Sequence, residues 1–472
     1  MKMVYLVNPR FETVDTRPEL CLNTLCLGTY LENKGVKVKV IDCQIERVED
    51  YLEEIKDNAL FVGLSVMTVQ LRDAIRISKL IKNNSTVSVV WGGNHPTLFP
   101  KQCLSEDYVD YVIQEEGERA LLCFARTGRI PEQNELIDVN ELHPLKWELL
   151  NIPKYIRPHR LARRKSGNRH LRVHGGRGCT FDCNFCINQT LSRRCWRGVS
   201  AKNIFREIKY LNEKHGIDSV MIQDENFFCD KKRLKEFCEL MIRNKMSKKV
   251  RWSANSRVTY LRRDFMSDEL WKLVENSGCF HISFGIESGS QRVLDEVINK
   301  GITLEDSRNA VLRLKSTKII PWLSFLIGMP NESEEEIKAT MKFREELGRL
   351  NPNSYLNTPQ IYRPYPGCKM YNEAVKLGFR PPKNNKEWLK FLYEGGLVSV
   401  DCLPWVKNKK LVVNLSEYGL ITNICPGTKL EQAFGLVFRK LAGWRLRHNF
   451  FWLPIDKWLY FKLSKMYLRL VK

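Results

Sequence analysis

The sequence predicts an α/β chain of more than one domain, on three observations. Short apolar runs alternate with amphipathic stretches over residues 1–126, and they do so again over residues 171–370. Between these blocks, residues 127–170 carry proline and many charges but little periodicity, and read as a linker. The length of 472 residues exceeds what one core organises, since single cores stop growing near ~250–300 residues. Residues 371–472 read as a mostly helical C-terminal region.

Composition narrows the class. An apolar content of 43% and a charged content of 28% are those of a globular protein, not a disordered one. The sequence has no run of apolar residues long enough to span a bilayer. The opening MKMVYLVNPR turns polar too early for a secretory signal and reads as a first strand, so a cytoplasmic chain is expected. Fifteen cysteines in such a compartment point to metal binding or redox chemistry where they cluster, not to a disulfide framework. The scattered ones (Cys21, Cys26, Cys43, Cys103, Cys123, Cys238, Cys279) lie in apolar surroundings and read as small core residues. A net charge of +22 leaves three readings of its partner: nucleic acid, anionic lipid, or solvent alone.

In the first block, Val4–Val7, Val36–Ile41, Leu60–Val66, Val87–Trp91 and Tyr111–Ile113 read as strands. Cys21–Asn33, Val48–Asn58 and Leu71–Asn83 read as helices between them. Strict alternation implies a parallel, doubly wound, Rossmann-like sheet, which binds ligands outside the carboxyl ends of its strands. Those ends carry Asn8-Pro9-Arg10, Ser65-Val66-Met67-Thr68, Gly92-Gly93-Asn94-His95-Pro96-Thr97 and Glu115-Glu116-Gly117-Glu118. Together they resemble the cobalamin-binding domain that precedes many radical S-adenosylmethionine (SAM) cores. The resemblance makes Asn8, Ser65, Thr68, Gly92, Gly93, His95 and Glu115 the candidate cobalamin-binding residues. The Asp-x-His-x-x-Gly motif of other cobalamin proteins is absent, because Asp42 is followed by Cys43-Gln44. The resemblance then implies cobalamin with no histidine on cobalt. A degenerate domain that binds nothing is the alternative.

The strand Leu171–His174 runs into Gly175-Gly176-Arg177-Gly178-Cys179-Thr180-Phe181-Asp182-Cys183-Asn184-Phe185-Cys186. Three thiolates spaced four and then three apart in a glycine-rich loop can converge on one cubane. A [4Fe-4S] cluster normally takes four thiolates, so three leave one iron open to a cosubstrate. Structural zinc is the competing reading; it needs a fourth ligand, for which His174 or Cys195 could serve. Cys-x-x-x-Cys-x-x-Cys with Phe185 before the last cysteine resembles the signature of the radical SAM superfamily. That resemblance implies a [4Fe-4S] cluster on Cys179, Cys183 and Cys186 that chelates SAM and cleaves it to a 5′-deoxyadenosyl radical.

The resemblance further implies a partial (βα)6 TIM-type barrel, and the pattern matches it. Ser219–Ile222, Val250–Ser253, Phe280–Phe284, Ile319–Ile327 and Tyr355–Ile361 read as its later strands. Ala201–Lys214, Lys231–Asn244, Asp268–Ser277, Leu304–Lys315 and Glu334–Leu347 read as helices, the last with Ser333 as N-cap. Active sites of barrels lie at the C-terminal strand ends. Here those ends give Gln223-Asp224-Glu225-Asn226, Ala254-Asn255-Ser256-Arg257, Gly285-Ile286-Glu287-Ser288-Gly289, Gly328-Met329-Pro330-Asn331-Glu332 and Arg363-Pro364-Tyr365-Pro366-Gly367. By resemblance, Phe185, Asp224, Glu225, Asn255, Arg257, Glu287, Ser288 and Gly328 are the SAM-binding candidates. Asn331 replaces a glycine common in the family, which asparagine's tolerance of left-handed backbone allows.

The function so implied is a cobalamin-dependent radical methyltransferase. Methylcobalamin would donate its methyl group to a substrate radical on an unactivated carbon. A radical cyclase, oxidase or rearrangement enzyme shares the architecture. A tRNA methylthiotransferase is disfavoured, because Cys21, Cys26, Cys43 and Cys103 do not fall in the pattern of a second cluster. The chemistry requires a reducing donor such as flavodoxin or ferredoxin and a small-molecule or lipid-like substrate. The basic stretch Arg157–Arg172 and the pair Arg193-Arg194 lack aromatic platforms, so nucleic acid is not expected as a partner. The tail from Arg439 interleaves aromatics with basic residues. It reads either as a helix packed on the barrel with its arginines solvated, or as an interfacial amphipathic helix that would make the chain membrane-peripheral.

Overall fold

The computed structural model describes residues 2–11, 18–132, 135–159, 168–393, 400–422, 429–448 and 450–470, with side chains given except at 393, 429–436 and 464–470. The basic stretch 157–172 therefore lies partly outside the described residues.

Five parallel strands form the first sheet: β1 (Met3–Asn8), β2 (Val38–Asp42), β3 (Ala59–Ser65), β4 (Val89–Gly92) and β5 (Tyr111–Val112), in the order β2-β1-β3-β4-β5. The two-residue period of a strand explains the uninterrupted apolar run of β1. Val4 and Leu6 join one core with Leu25 and Leu31 of the helix Leu22–Asn33. Tyr5 and Val7 join a second core with Ala74 and Ile77 of the helix Leu71–Asn84 on the opposite face. Strand order reverses direction between β1 and β3, which opens a crevice at their carboxyl ends.

Residues 137–155 pack as part of the core. Ile137, Val139, Leu142, Leu145, Trp147, Ile152 and Tyr155 are buried in the same cluster as Val4 and Val173. They lack helical or strand periodicity because they fold as short 3-10 turns, Val139–Leu142, Trp147–Leu149 and Ile152–Tyr155. Tyr155 Oη donates to Asp42 Oδ2 at 2.7 Å, tying this stretch to the end of β2.

The second sheet opens with β6 (His170–His174). A small antiparallel pair follows, β7 (Gly176–Arg177) with β8 (Arg197–Gly198). Then come β9 (Ser219–Gln223), β10 (Arg251–Ser256), β11 (Cys279–Glu287), β12 (Ile320–Ile327), β13 (Tyr355–Leu356) and β14 (Gln360–Ile361). Parallel pairing gives the order β13-β12-β11-β10-β9-β6, with β14 also on β12, the open curl of a partial barrel. The helices between strands begin at caps: Ser200, Asp230, Ser267, Thr303 and Ser333 each accept a backbone N–H from the first turn. Ser333 and Glu336 complete a capping box.

The C-terminal region is helical: Lys369–Lys376, Asn385–Tyr393, Lys409–Thr422, Lys429–His448 and Ile455–Leu470. It packs on both halves. Leu411, Val412 and Leu415 meet Ile327, Ile337 and Met341 of the barrel. Trp388 instead packs with Phe99 of the first domain and donates to Gln102. The tail corrects one expectation, since Arg445 is buried and pairs with Asp456 at 2.9 Å instead of being solvated. Cys123 is another correction: it is only partly buried, while the other scattered cysteines are fully so. Among the described residues, no helix is long and apolar enough to cross a membrane.

Candidate active site at the junction of two sheets

A cavity of about 370 Å³ lies where the carboxyl ends of the two sheets face each other. The first sheet contributes Ser65, Gly92, Gly93 and Glu115, and the second half contributes His174, Gly178 and Glu225. Gly93 is required by local geometry. Its φ is +97°, and a Cβ there would stand 2.9 Å from Val66 N and O.

Three predicted cobalamin-binding residues are not brought to this cavity. Asn8 donates to Asp42 Oδ1 at 2.9 Å and accepts from Gln70 at 3.0 Å, both inside the protein. Thr68 Oγ1 lies 3.2 Å from His95 Nδ1, and His95 Nε2 lies 3.3 Å from Asn385 Oδ1. Burial holds His95 neutral, its pKa lowered to about 4. It is a buried strut between the first domain and the C-terminal helices.

Ionic contacts close the junction. Arg177 meets Glu118 at 2.7 Å, Arg197 meets Glu116 at 2.5 Å, and Arg193 Nε donates to Glu115 at 3.1 Å. In each pair the acid belongs to the first half and the base to the loop region of the second. None of these pairs is local in sequence.

The loop from Gly178 to Cys186 carries the three candidate thiols. Gly178 has φ +87°, and a Cβ there would meet Cys195 O at 2.1 Å, so only glycine lets the loop turn so closely. Asn226 Nδ2 donates to Cys179 Sγ at 3.3 Å. Arg257 Nη1 lies 3.8 Å from Cys183 Sγ, and its guanidinium stacks 3.5 Å over the Phe181 ring. Lys300 pairs with Glu287 at 3.1 Å and lies 5.6 Å from the centre of the Phe185 ring. Burial raises Cys179 and Cys186, the latter to about 11, while Arg257 opposes the rise at Cys179.

These residues fit a cluster. Cys183 and Cys179 both bear on Cys186, and Cys183 bears on Cys179, so the three thiols lie close together. In a cubane each cysteine binds a separate iron, so the three thiols need not converge on a single ion. For zinc, the proposed fourth ligands are ill placed: His174 Nδ1 faces His143 at 3.3 Å, and Cys195 is exposed. Asn226 Oδ1 and Arg257 Nε are buried beside the loop with no hydrogen-bond partner, leaving polar atoms for a bound group.

The SAM-binding candidates divide. Phe185, Glu225, Arg257 and Glu287 surround the loop, with Glu225 accepting from Gly178 N at 3.1 Å. Burial, helped by nearby Asp224, raises Glu225 to about 7. Asn255 stands beside them and donates to Asp224 O at 3.1 Å. Asp224 is spent on Arg233, Trp196 and the Asn226 N–H, and it braces the strand end instead of offering a free carboxylate. Ser288 is buried against Thr340, and the N–H and C=O of Gly328 are taken by Glu332 and Trp405. Asn331 does adopt the left-handed backbone, at φ +63°. Lys300 had no signal in the sequence; it enters the site because Asn299 and Gly301 turn the chain at φ +54° and +66°.

Comparison with known proteins agrees with this geometry. The family model described as the radical SAM superfamily matches residues 173–344, and that of the B12 binding domain matches residues 21–124. An uncharacterized methyltransferase of Pyrococcus horikoshii is 30% identical over 365 residues, covering 72% of this chain and 75% of its own length. The chain belongs to the radical SAM superfamily, in its B12-binding branch. It is a radical SAM enzyme, and the family's cofactors are its own: a [4Fe-4S] cluster, SAM and cobalamin. The anaerobic magnesium-protoporphyrin IX monomethyl ester cyclase of Rubrivivax gelatinosus is 27% identical, over 73% of this chain and 63% of that protein. The solved structure of OxsB, a cobalamin-dependent SAM radical enzyme, superposes with a TM-score of 0.72 at 18% identity, covering 99% of this chain and 75% of that one. At that identity the likeness speaks to the fold.

Proposed function

We propose that this enzyme methylates an unactivated carbon of a small-molecule or lipid-like substrate. The observation that carries the reading is the shared cavity, walled by the strand ends of the B12-binding domain on one side and by the cluster-loop side of the barrel on the other. Cys179, Cys183 and Cys186 would hold the cluster, and Ser65, Gly92, Gly93 and Glu115 would face cobalamin. When bound, the cluster supplies the electron that cleaves SAM, and cobalamin supplies the methyl group. The chain's own residues position and shield. Asn226 and Arg257 donate toward sulfur, favouring thiolate, and Phe181 and Phe185 exclude water from the loop. Arg257 and the Lys300–Glu287 pair offer oriented charge for the amino-acid end and ribose of SAM. The methyltransferase name of the Pyrococcus relative supports this reading, while the cyclase relative supports ring closure or oxidation in the same architecture.

Product stoichiometry separates the two. With hydroxocobalamin, a reducing donor such as flavodoxin or ferredoxin, and substrate, methylation yields S-adenosylhomocysteine and 5′-deoxyadenosine together. Deoxyadenosine alone would instead favour cyclisation or oxidation.

The C-terminal surface supports a membrane-peripheral placement, which we also propose. Val437, Leu441 and Trp444 are exposed along one helix, and Trp452, Ile455 and Trp458 follow in the next segment, with Lys440, Arg447 and Lys462 around them. Asp456, the one acid among the described residues from 437 to 463, is buried. An apolar face rimmed by cations fits an anionic bilayer. Sedimentation with anionic but not with neutral vesicles is expected, and Trp452→Ser with Trp458→Ser should remove it. Equal recovery with both vesicle types would contradict this placement.

A further inference from the structure

A buried relay runs from the core to the cavity wall. Glu207 lies on the helix Ala201–His215, fully buried, and its carboxylate accepts from three donors: Leu145 N at 2.8 Å, Trp147 Nε1, and His143 Nδ1 at 3.0 Å. Leu145 N and Trp147 Nε1 can only donate, so the carboxylate is the acceptor throughout. His143 Nδ1 therefore donates to the carboxylate. His143 Nε2 lies 3.3 Å from His174 Nδ1, so one of the two rings donates to the other there. A neutral imidazole with its proton on Nδ1 has only a lone pair on Nε2. His174 is kept neutral by burial first, then by Arg177, His143 and Arg197, all of which disfavour its cationic form.

His174 is the end of this relay on the cavity side. His174 lines the cavity, and its Nε2 is buried with no hydrogen-bond partner. Glu118 lines the same cavity from the other domain, and its Oε2 is also buried and unpaired. Both residues flank Arg177, which pairs with Glu118 and bears on His174. Two buried polar atoms without partners, on residues that line one cavity, are costly unless an occupant brings groups that answer them.

We propose that His174 donates from Nδ1 to His143, and that its Nε2, with Glu118 Oε2, accepts from a primary amide of the corrin periphery. This inference rests on the reading of the cavity as the cobalamin site. A primary amide carries two N–H donors on one nitrogen and so answers two acceptors at once. Corrin side chains present several such amides, and the cavity lies at the strand ends of the B12-binding domain.

The test measures cobalamin affinity of the cluster-reconstituted full chain by equilibrium dialysis with hydroxocobalamin. Iron content and circular dichroism verify that each variant is folded. His174→Phe removes the acceptor and should weaken binding about 10-fold, the scale of one buried hydrogen bond. His174→Gln keeps an acceptor oxygen and should recover part of the loss. Monocarboxylate derivatives of hydroxocobalamin, each with one amide hydrolysed, provide the second arm. At least one should bind the unaltered protein less tightly, and His174→Phe should erase that difference. Equal hydroxocobalamin affinity of the unaltered protein and His174→Phe would overturn the proposal. So would a nitrogen splitting in the cob(II)alamin resonance that disappears in His174→Phe, since that would make the histidine a cobalt ligand. Failure of the unaltered, iron-loaded protein to retain hydroxocobalamin would reject the cobalamin reading of the cavity, and this inference with it.

Discussion

Arg177 Nη2 lies 2.7 Å from Glu118 Oε1, and through that pair the loop that precedes the cluster cysteines is fastened to the B12-binding domain. Glu118 is 2% exposed and Arg177 18%, so the pair is largely desolvated. Removing one partner of such a pair leaves an uncompensated buried charge, at a cost of about 3–5 kcal/mol. Arg177→Met should lower stability by that amount in urea unfolding. Arg177→Met with Glu118→Gln should recover part of it, because the stranded charge is gone. A single variant as stable as the parent would show that the contact is incidental.

Glu332 gives the fold a pH dependence. It is buried at the turn after β12, where Oε2 accepts from Gly328 N at 2.6 Å and Met329 N at 3.0 Å while Oε1 has no partner. Burial outweighs those hydrogen bonds and raises it to about 8 from 4.5. Between those values the folded chain holds a proton that the unfolded chain has lost, so stability falls as pH rises from about 5 to 8. The slope from this group is at most about 1.4 kcal/mol per pH unit. Glu332→Gln mimics the protonated form and should flatten the profile over that window. An unchanged slope in unfolding measurements at pH 5, 6.5 and 8 would count against this assignment.

Ser65 stands at the end of β3 on the cavity wall. An indole there would occupy much of the space between the two sheets without touching the cluster loop. Ser65→Trp should therefore abolish cobalamin retention and leave iron content near that of the parent. Spectra of the reconstituted variant would show both, and retained cobalamin would move the pocket elsewhere.

Arg257 stacks on Phe181 and approaches Cys183 Sγ. Arg257→Lys keeps the charge but loses the planar stack and the fork of donors. It should lower deoxyadenosine formation by 10-fold or more with iron content maintained. Full activity would relieve Arg257 of its role at the site.

What the sequence disclosed depended on how local each feature is. Cys179, Cys183 and Cys186 fall within eight residues, so their convergence follows from one loop. Strand positions were equally readable, because Val4–Val7 and Ile320–Ile327 carry their burial in the residues themselves. The direction of a strand-end side chain is a different matter. His95, Thr68 and Asn8 stand at the right ends, yet their polar atoms turn inward, and the partner of His95 is Asn385, 290 residues away. Asp224 looked like a free carboxylate until folding brought Arg233 and Trp196 onto it. Residues 137–155 escaped for another reason: they pack through 3-10 turns, which leave no period to read. His143 and Glu207 became visible only once the fold set them beside His174.

The central claim is that Cys179, Cys183 and Cys186 hold a cluster that cleaves SAM. The most direct measurement is anaerobic reconstitution with iron and sulfide, reduction in the presence of SAM, and quantification of 5′-deoxyadenosine by mass spectrometry, beside Cys183→Ala. The account expects deoxyadenosine from the parent, with loss of most iron and all of that product in the variant. A fully iron-loaded parent that makes no deoxyadenosine, or a Cys183→Ala chain that still makes it, would contradict the account.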